Sequence, residues 1–485
     1  MRAAPPLHNA HAALPPLDTL SPIAGSSSRN GQRPPTPGWQ ALSVKGRLMS
    51  AFGDVGTTRR NLLKSSALVI GSAALLPALQ SCGSGSGSGT VKLAGQGWVY
   101  DPTFHNGLAK QYAQKNPGVD PEFTFEQGEK YLEKIIALYT AGNAPDVVFA
   151  HDNDIANFAD SGYIQPINGM DGWEDSLKDL IAFDRTGLDY KGKTWGMPYY
   201  GDVMAFIYNK DMVKKAGISE APQTWADVTE QALAIKKAGV LDTPFVFPMD
   251  NTSSRHWFAA IHGSGGNMFD EQNKPVFPDQ DTTALQFLTW LVSAAKAGVL
   301  DPASLGLGTT TGMQTFQAGK AAFMTDAHYD MKANNDPTKS KVPGACGQYL
   351  MPSLTDSGPH KTIGFSAAYC VSAKTKHTKE SWDFIRYLGN SDANRQLFLR
   401  DGQAPAYTAL QNDPQVLAEL QKWCDPEIAN KQTQLAYRQN GMDAPWFAQW
   451  QVFNQQQVQQ AVLGKMSPRQ ALQASADKAT ELSKQ

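Results

Sequence analysis

Short apolar runs at residues 91–94, 122–125 and 146–150 read as strands, and the stretches between them, 104–114 and 130–140, carry helical spacing. In the second of these Tyr131, Leu132, Ile135, Ile136 and Tyr139 fall three or four positions apart. Strand, helix, strand, helix, strand in succession predicts a mostly parallel sheet with helices on both faces, an α/β architecture. In such sheets ligands bind in the crevice beyond the carboxyl ends of the strands, which here means residues 96–98, 126–127 and 151–152. A second strand-rich passage spans 194–209, and helical spacing follows at 224–237, 256–262, 282–296 and 313–318. The C-terminal quarter reads as helices at 378–388, 392–400, 414–429, 447–463 and 468–483. The 485 residues exceed one lobe and allow two or three domains.

Composition narrows the function classes. Hydrophobic residues at 41% argue against wholesale disorder, and a formal charge of −2 gives no basic footprint for nucleic acid. No run of about 18 apolar residues predicts an ordinary spanning helix. The 4 cysteines form no C-x-x-C or Cys/His cluster, which speaks against structural zinc. Cys346 and Cys370 lie in strand-like segments, open to pairing or to remaining small buried thiols.

The first ninety residues read as an address. Residues 1–48 are rich in Pro, Ala, Ser and Gly and are expected to be a disordered extension or a start placed too early. Residues 49–82 have the order of an export signal. Thr58 to Lys64 spell T-R-R-N-L-L-K before an apolar stretch at 67–79, too short for a stable bilayer anchor. This resembles a twin-arginine signal, and L-Q-S-C ending at Cys82 resembles the lipobox of bacterial lipoproteins, which implies a lipidated Cys82. The alternative is a buried apolar helix with an incidental cysteine. Residues 83–90, alternating Gly and Ser, form a flexible tether.

Motifs for catalysis are sparse. Gly187 to Thr194 spell G-L-D-Y-K-G-K-T, a formal phosphate-loop match, but no helix begins at Trp195-Gly196-Met197-Pro198, so a Gly-turned hairpin is the better reading. Gly95 and Gly97 lack the third glycine of a dinucleotide fingerprint.

Four segments in order resemble the extracellular solute-binding proteins of sugar-type ABC transporters, the maltose-binding-protein-like family 1. They are G-N-A-P-D-V-V-F-A-H-D from Gly142 with F-A-D-S-G-Y-I-Q-P-I from Phe158; G-K-T-W-G-M-P-Y-Y-G-D-V-M-A-F-I-Y-N-K-D from Gly192 with T-W-A-D-V from Thr224; F-Q-A-G-K-A-A-F-M from Phe316; and W-D-F-I-R-Y-L from Trp382. The resemblance implies a two-lobe, type II periplasmic-binding-protein-like fold, with a ligand cleft between lobes joined by crossover hinge strands. Lobe 1 is expected at 91–201 and 350–403 and lobe 2 at 202–349 and 404–485, with crossings near 200–204, 349–353 and 402–407.

The resemblance also implies a site. Asp152 falls where maltose-binding members carry a sugar-binding aspartate, Asp202 where they carry a glutamate, and Tyr329 where a tryptophan stacks on the sugar. The stretch from Asn251 to Arg255, N-T-S-S-R, departs from the family's acidic and aromatic ligand residues there. Carboxylates accept bonds from adjacent hydroxyls, and aromatic faces pack on the C–H faces of sugar rings. Trp98, Tyr200 and Phe365, drawn from aromatics that also include Tyr100, Tyr199, Trp257, Tyr369 and Trp446, complete the expected ligand set together with the strand-end Gln127, whose alternative is to cap the next helix. For any single aromatic the alternative is core packing, and for Asp152 it is capping a helix that starts near Ile155.

The expected function is that of a substrate-binding lipoprotein of an ABC importer. It would bind a di- or oligosaccharide, deliver it to the permease, act as a monomer and need no cofactor or metal. Its expected place is extracytoplasmic, on the membrane through Cys82, in a periplasm or on the outer face of the cytoplasmic membrane. Competing readings are a secreted carbohydrate-active enzyme using Asp152 and Asp202 as its carboxylate pair, and a binding protein for a polyol or glycerol phosphate.

Overall fold

The computed structural model describes residues 90–98, 102–126, 129–251, 253–277 and 282–484. These belong to one compact unit, Ser84–Gln485. The strands are β1 (Val91–Trp98), β2 (Val119–Glu126), β3 (Val147–His151), β4 (Asp189–Tyr190), β5 (Lys193–Thr194) and β6 (Met197–Asn209). Further along come β7 (Phe245–Val246), β8 (Phe323–Ala327), β9 (Cys346–Tyr349), β10 (Thr362–Val371) and β11 (Ala436–Tyr437).

β1 pairs in parallel with β2 and β3, and the helices Thr103–Lys115 and Glu129–Thr140 make the connections. In the second helix Tyr131 and Ile135 are buried while Leu132 and Ile136 stay exposed, so its buried stripe is narrower than the apolar spacing suggested. A Cβ on Gly95 would lie 2.5 Å from the Phe123 ring and one on Gly97 2.7 Å from the Phe125 ring. The two glycines of β1 therefore serve the seating of β2's phenylalanines.

The main sheet runs β2-β1-β3-β10-β6-β8-β7, with β9 on β6 and β11 on β10. Its flanks are parallel, but its centre is not: β10 is antiparallel to both β3 and β6. The expectation of a mostly parallel sheet fails there because one strand leads out of the first half-sheet while its neighbour returns, and two passages in opposite directions must pair antiparallel. β6 changes partners between Val203, opposite Gly364 of β10, and Met204, opposite Ala327 of β8. The return passage is β10 itself, later than the expected 349–353, since Ser353 still bridges Thr224 beside the second half-sheet. Residues 404–407 run alongside: Gly201 N–H donates to Ala404 O at 3.1 Å, and Tyr407 bridges Leu180.

Local chemistry sets the remaining elements. Lys191 and Gly192 take φ of 50° and 70° between β4 and β5, the left-handed pair that a two-residue hairpin turn requires. The helix expected over 414–429 is two helices, Pro414–Leu420 and Pro426–Gln434, each with proline in its first turn and an aspartate ahead of it. The Asp425 carboxylate accepts from Glu427 N–H at 2.9 Å, a cap that starts a new helix instead of continuing the old one. Trp225, fully buried, packs at 4.8–5.0 Å from Trp290 and Phe287. Helices Phe447–Val462 and Pro468–Leu482 are tied by Trp450 Nε1–H donating to Ser475 O at 3.0 Å. Cys346 and Cys370 are buried and free. Among the described residues no helix is long and apolar enough to cross a membrane.

Candidate functional site

Where β6 leaves one half-sheet for the other, a cavity of about 530 Å³ opens between them, within the range of roughly 300–1,000 Å³ that suits a small ligand. Trp98 ends β1 and His151 ends β3, so both reach the cavity from the carboxyl ends of parallel strands, the position expected for an open α/β sheet. Trp98 packs face to face with Phe149 at 6.0 Å and edge-on with His151 at 5.3 Å. Tyr200 comes from β6, Phe365 from β10 and Tyr329 from the turn after β8, and all three line the same space. Gln127, Tyr100 and Cys82 lie outside the described residues.

Phe365 is 1% exposed because Arg255 covers it, the guanidinium carbon 4.1 Å from the ring centroid. Both residues line the cavity, with Arg255 standing over the ring. Other polar groups of the wall are Asp250, Ser254, Gln451 and Thr309 to Thr311, the last three at the start of the helix Thr309–Gln317. A second hollow of about 600 Å³ adjoins the first, sharing Thr309, Thr310 and Tyr329. Tyr329 thus stands between two compartments.

The two expected carboxylates sit behind the wall instead of in it. Asp152 is buried, with Oδ1 accepting from Asn153 N–H at 3.0 Å and lying 3.8 Å from Arg255, and Oδ2 lying 3.9 Å from Arg438. Its alternative role as a cap is also not taken, since Asp154 occupies the N-cap position of the helix Ile155–Asp160. Asp202 is fully buried and accepts from Val203 N–H at 2.8 Å and from Tyr329 N–H at 3.1 Å. Burial pushes its carboxyl up to about 8, against the pull of these two donors and of Arg255. Asp184 lies beside Gly201 with both carboxyl oxygens buried and without hydrogen-bond partners. Burial, reinforced by Asp152 and Asp202, raises it well above the usual carboxylate range. Of the remaining aromatics, Trp257 and Tyr369 belong to the core, Tyr199 is buried but borders the second hollow, and Trp446 packs edge-on against Phe269.

A sequence profile described as bacterial extracellular solute-binding protein matches residues 99–395. The chain belongs to that family. Among curated relatives of this solute-binding family, a maltooligosaccharide ABC transporter solute-binding lipoprotein of Streptococcus pneumoniae is 25% identical over 366 residues, covering 71% of this chain and 81% of the relative. Among solved structures, maltose-bound MalE3 of T. maritima superposes with a TM-score of 0.71 at 19% identity, covering 81% of this chain and 100% of that one. The GacH receptor of Streptomyces glaucescens, solved unliganded and with acarbose, gives 0.72 at 19%, covering 81% and 99%. These likenesses show the fold to be the two-lobe, type II periplasmic-binding-protein architecture.

Sequence reasoning missed Arg255, Asp250 and the threonines. Arg255 stood out only as a departure from the family pattern, and its sequence signal is a Ser-Ser-Arg run opening the helix Ser254–Gly263. No spacing rule marks a helix start as a cavity wall.

Proposed function

We propose that this solute-binding protein captures a carbohydrate, a di- or oligosaccharide, in the cleft between its lobes and delivers it to the permease of an ABC importer. The observation that carries the reading is the wall itself: the rings of Trp98, Tyr200 and Tyr329 stand around one space with the acceptor Asp250, the donor Arg255 and three threonine hydroxyls. Stacking faces with donors and acceptors at their edges match the two-sided chemistry of a sugar ring. The two adjoining hollows meeting at Tyr329 favour a ligand of more than one ring. The relatives, a maltooligosaccharide transporter's solute-binding lipoprotein and maltose-bound MalE3 among them, agree with this class.

Binding without turnover is supported by the position of Asp152 and Asp202, the pair a hydrolase reading needs, behind the wall and engaged with protein groups. Trp98, Tyr200 and Tyr329 are the stacking residues in this reading, Phe365 backs Arg255, and Gln127 is retained from the sequence. The protein acts as a monomer on the outer side of the cytoplasmic membrane, held by lipid on Cys82. Thermal stabilisation against mono-, di- and oligosaccharides, polyols and glycerol phosphates tests the reading. At one hundred times its dissociation constant a ligand adds about 2.7 kcal/mol. A shift with one sugar series, recovered intact, supports capture; recovered fragments point to an enzyme; shifts with polyols or phosphates alone replace the ligand class.

A further inference from the structure

We propose that Asp152 is the clasp of the cleft: as the two halves close, its carboxylate is drawn into hydrogen bonds with Arg255 and Arg438, so that closure and the seating of Arg255 in the cavity wall become one event. The proposal deepens the binding reading and rests on it only for the view that the halves close on a solute.

The three residues come from opposite sides. Asp152 follows β3, and its backbone N–H donates to Ser366 O in β10 at 3.0 Å. Arg255 opens the helix Ser254–Gly263, whose next residue, His256, is joined to Thr325 of β8 at 2.9 Å. Arg438 follows β11, and its neighbour Gln439 is joined to His262 of the same helix at 2.7 Å. Both arginines therefore move with the half built on β8, and Asp152 with the half built on β3.

The distances place the clasp just short of made. Arg255 Nη2 is 3.8 Å from Asp152 Oδ1, and Arg438 Nε is 3.9 Å from Oδ2. Charge-assisted N–H···O bonds form at about 2.7–2.9 Å, so each pair is about 1 Å too far apart. Asp152 Oδ2 and Arg438 Nε are both buried without a hydrogen-bond partner, a costly state for ionised groups. One strand of the clasp is in place already, since Arg438 Nη2 donates to Asp152 O at 3.1 Å. Shortening the Nε–Oδ2 contact by about 1 Å while the Nη2 bond to Asp152 O is kept satisfies both orphaned atoms together.

Arg255 links this to the ligand. Its guanidinium carbon lies 4.1 Å from the centre of the Phe365 ring, its Nη2 is 3.8 Å from Asp152 Oδ1, and the same residue lines the cavity. A solute that accepts a bond on the cavity side and a carboxylate that accepts on the other hold the guanidinium in the same place. Each stabilises the arrangement the other needs, which is a coupling free energy in the ordinary sense.

Distance measurements on the full chain test this without any ligand. Nitroxide labels on non-natural residues at Lys110 and Lys237, both exposed and in different halves, leave the native cysteines untouched. The wild type is expected to hold a short-distance population; Asp152→Asn, and separately Arg438→Gln, reduce it about tenfold or more relative to the long-distance one, and Arg438→Lys restores part of it. Should Asp152→Asn fail to fold, Arg438→Gln carries the test. Unchanged distributions in the folded variants overturn the clasp whatever the protein binds, whereas a carbohydrate panel with no binder overturns only the ligand class.

Discussion

The Asp202 carboxylate accepts the backbone N–H of Tyr329 at 3.1 Å, across 127 residues of chain. The bond ties the strand that crosses between half-sheets, two residues before Met204 takes the new partner, to the turn that carries an aromatic wall of the cavity. A carboxyl at this point holds a cavity-lining ring without itself lining the cavity.

That carboxyl also gives the protein a pH-dependent stability. Burial raises Asp202 from 3.8 to about 8 and Asp326 from 3.8 to about 7, so between those values the folded state holds protons that the unfolded state has released. The stability they contribute is full below about pH 4 and is lost as pH rises through the folded values. Buried His256 and His262, lowered from 6.5 to about 4, act in the opposite sense and only below pH 6.5. From about pH 4 to 6.5 the two carboxyls and the two histidines oppose each other with equal slopes, so thermal unfolding is expected to change little there and to fall between pH 6.5 and 8, by at most about 1.4 kcal/mol per pH unit for each carboxyl. Asp202→Asn should flatten that fall in differential scanning calorimetry. A melting temperature that climbs through this window in the wild type would contradict the assignment.

Removing a wall ring should separate binding from folding. Trp98→Ala and Tyr329→Ala each take away a half-buried face of the cavity and are expected to weaken sugar binding by about 0.5–1.5 kcal/mol beyond lost area. Trp225→Ala, in contrast, empties a fully buried site against Phe287 and Trp290 and should cost about 3–5 kcal/mol of stability. Titration calorimetry beside denaturant unfolding distinguishes the two. Normal affinity in both cavity variants would move the site elsewhere.

The fold was legible where local pattern and tertiary role coincide. The strand-rich passage at 194–209 announced β6, while the crossing within it came from the family resemblance, and Trp98, at the end of a short strand, announced a wall. The central antiparallel pairing was not legible, because the place of β10 between β3 and β6 depends on where a distant segment returns. The carboxylates show a second limit. Asp152 and Asp202 stand at the motif positions a ligand site would use, yet the groups set beside them, Arg438 and the Tyr329 backbone, carry no sequence mark. Arg255 gains its meaning only when the start of its helix meets Phe365 of β10.

The lipid anchor stands on the sequence alone, since Cys82 lies outside the described residues. Cys82→Ser removes the thiol that lipidation requires and should move the protein from the membrane fraction to the soluble one, with sugar affinity unchanged because every described residue lining the cavity lies beyond the leader. Fractionation followed by immunoblotting reads the outcome. Membrane association that persists in the variant would sink the lipobox reading.

Gly201 tests how tightly the crossing is built. It lies in β6 opposite Ser366 of β10, and a Cβ there would run into both carboxyl oxygens of Asp184 on the helix Ala182–Gly187. Asp184 has no room to yield: its carboxyl is fully buried and its neighbour Phe183 is packed against Gly364. Gly201→Ala therefore forces the helix away from the strand, an overpacking that costs about 1–3 kcal/mol. Because the strand joins the halves, the strain falls on the element that sets their angle, so affinity should drop along with stability. Asp184→Ala in the same chain makes space for the new methyl and removes a buried carboxyl without partners, and the double variant should recover much of the lost stability in a double-mutant cycle. Additive losses in that cycle would show that the glycine is needed for another reason than this contact.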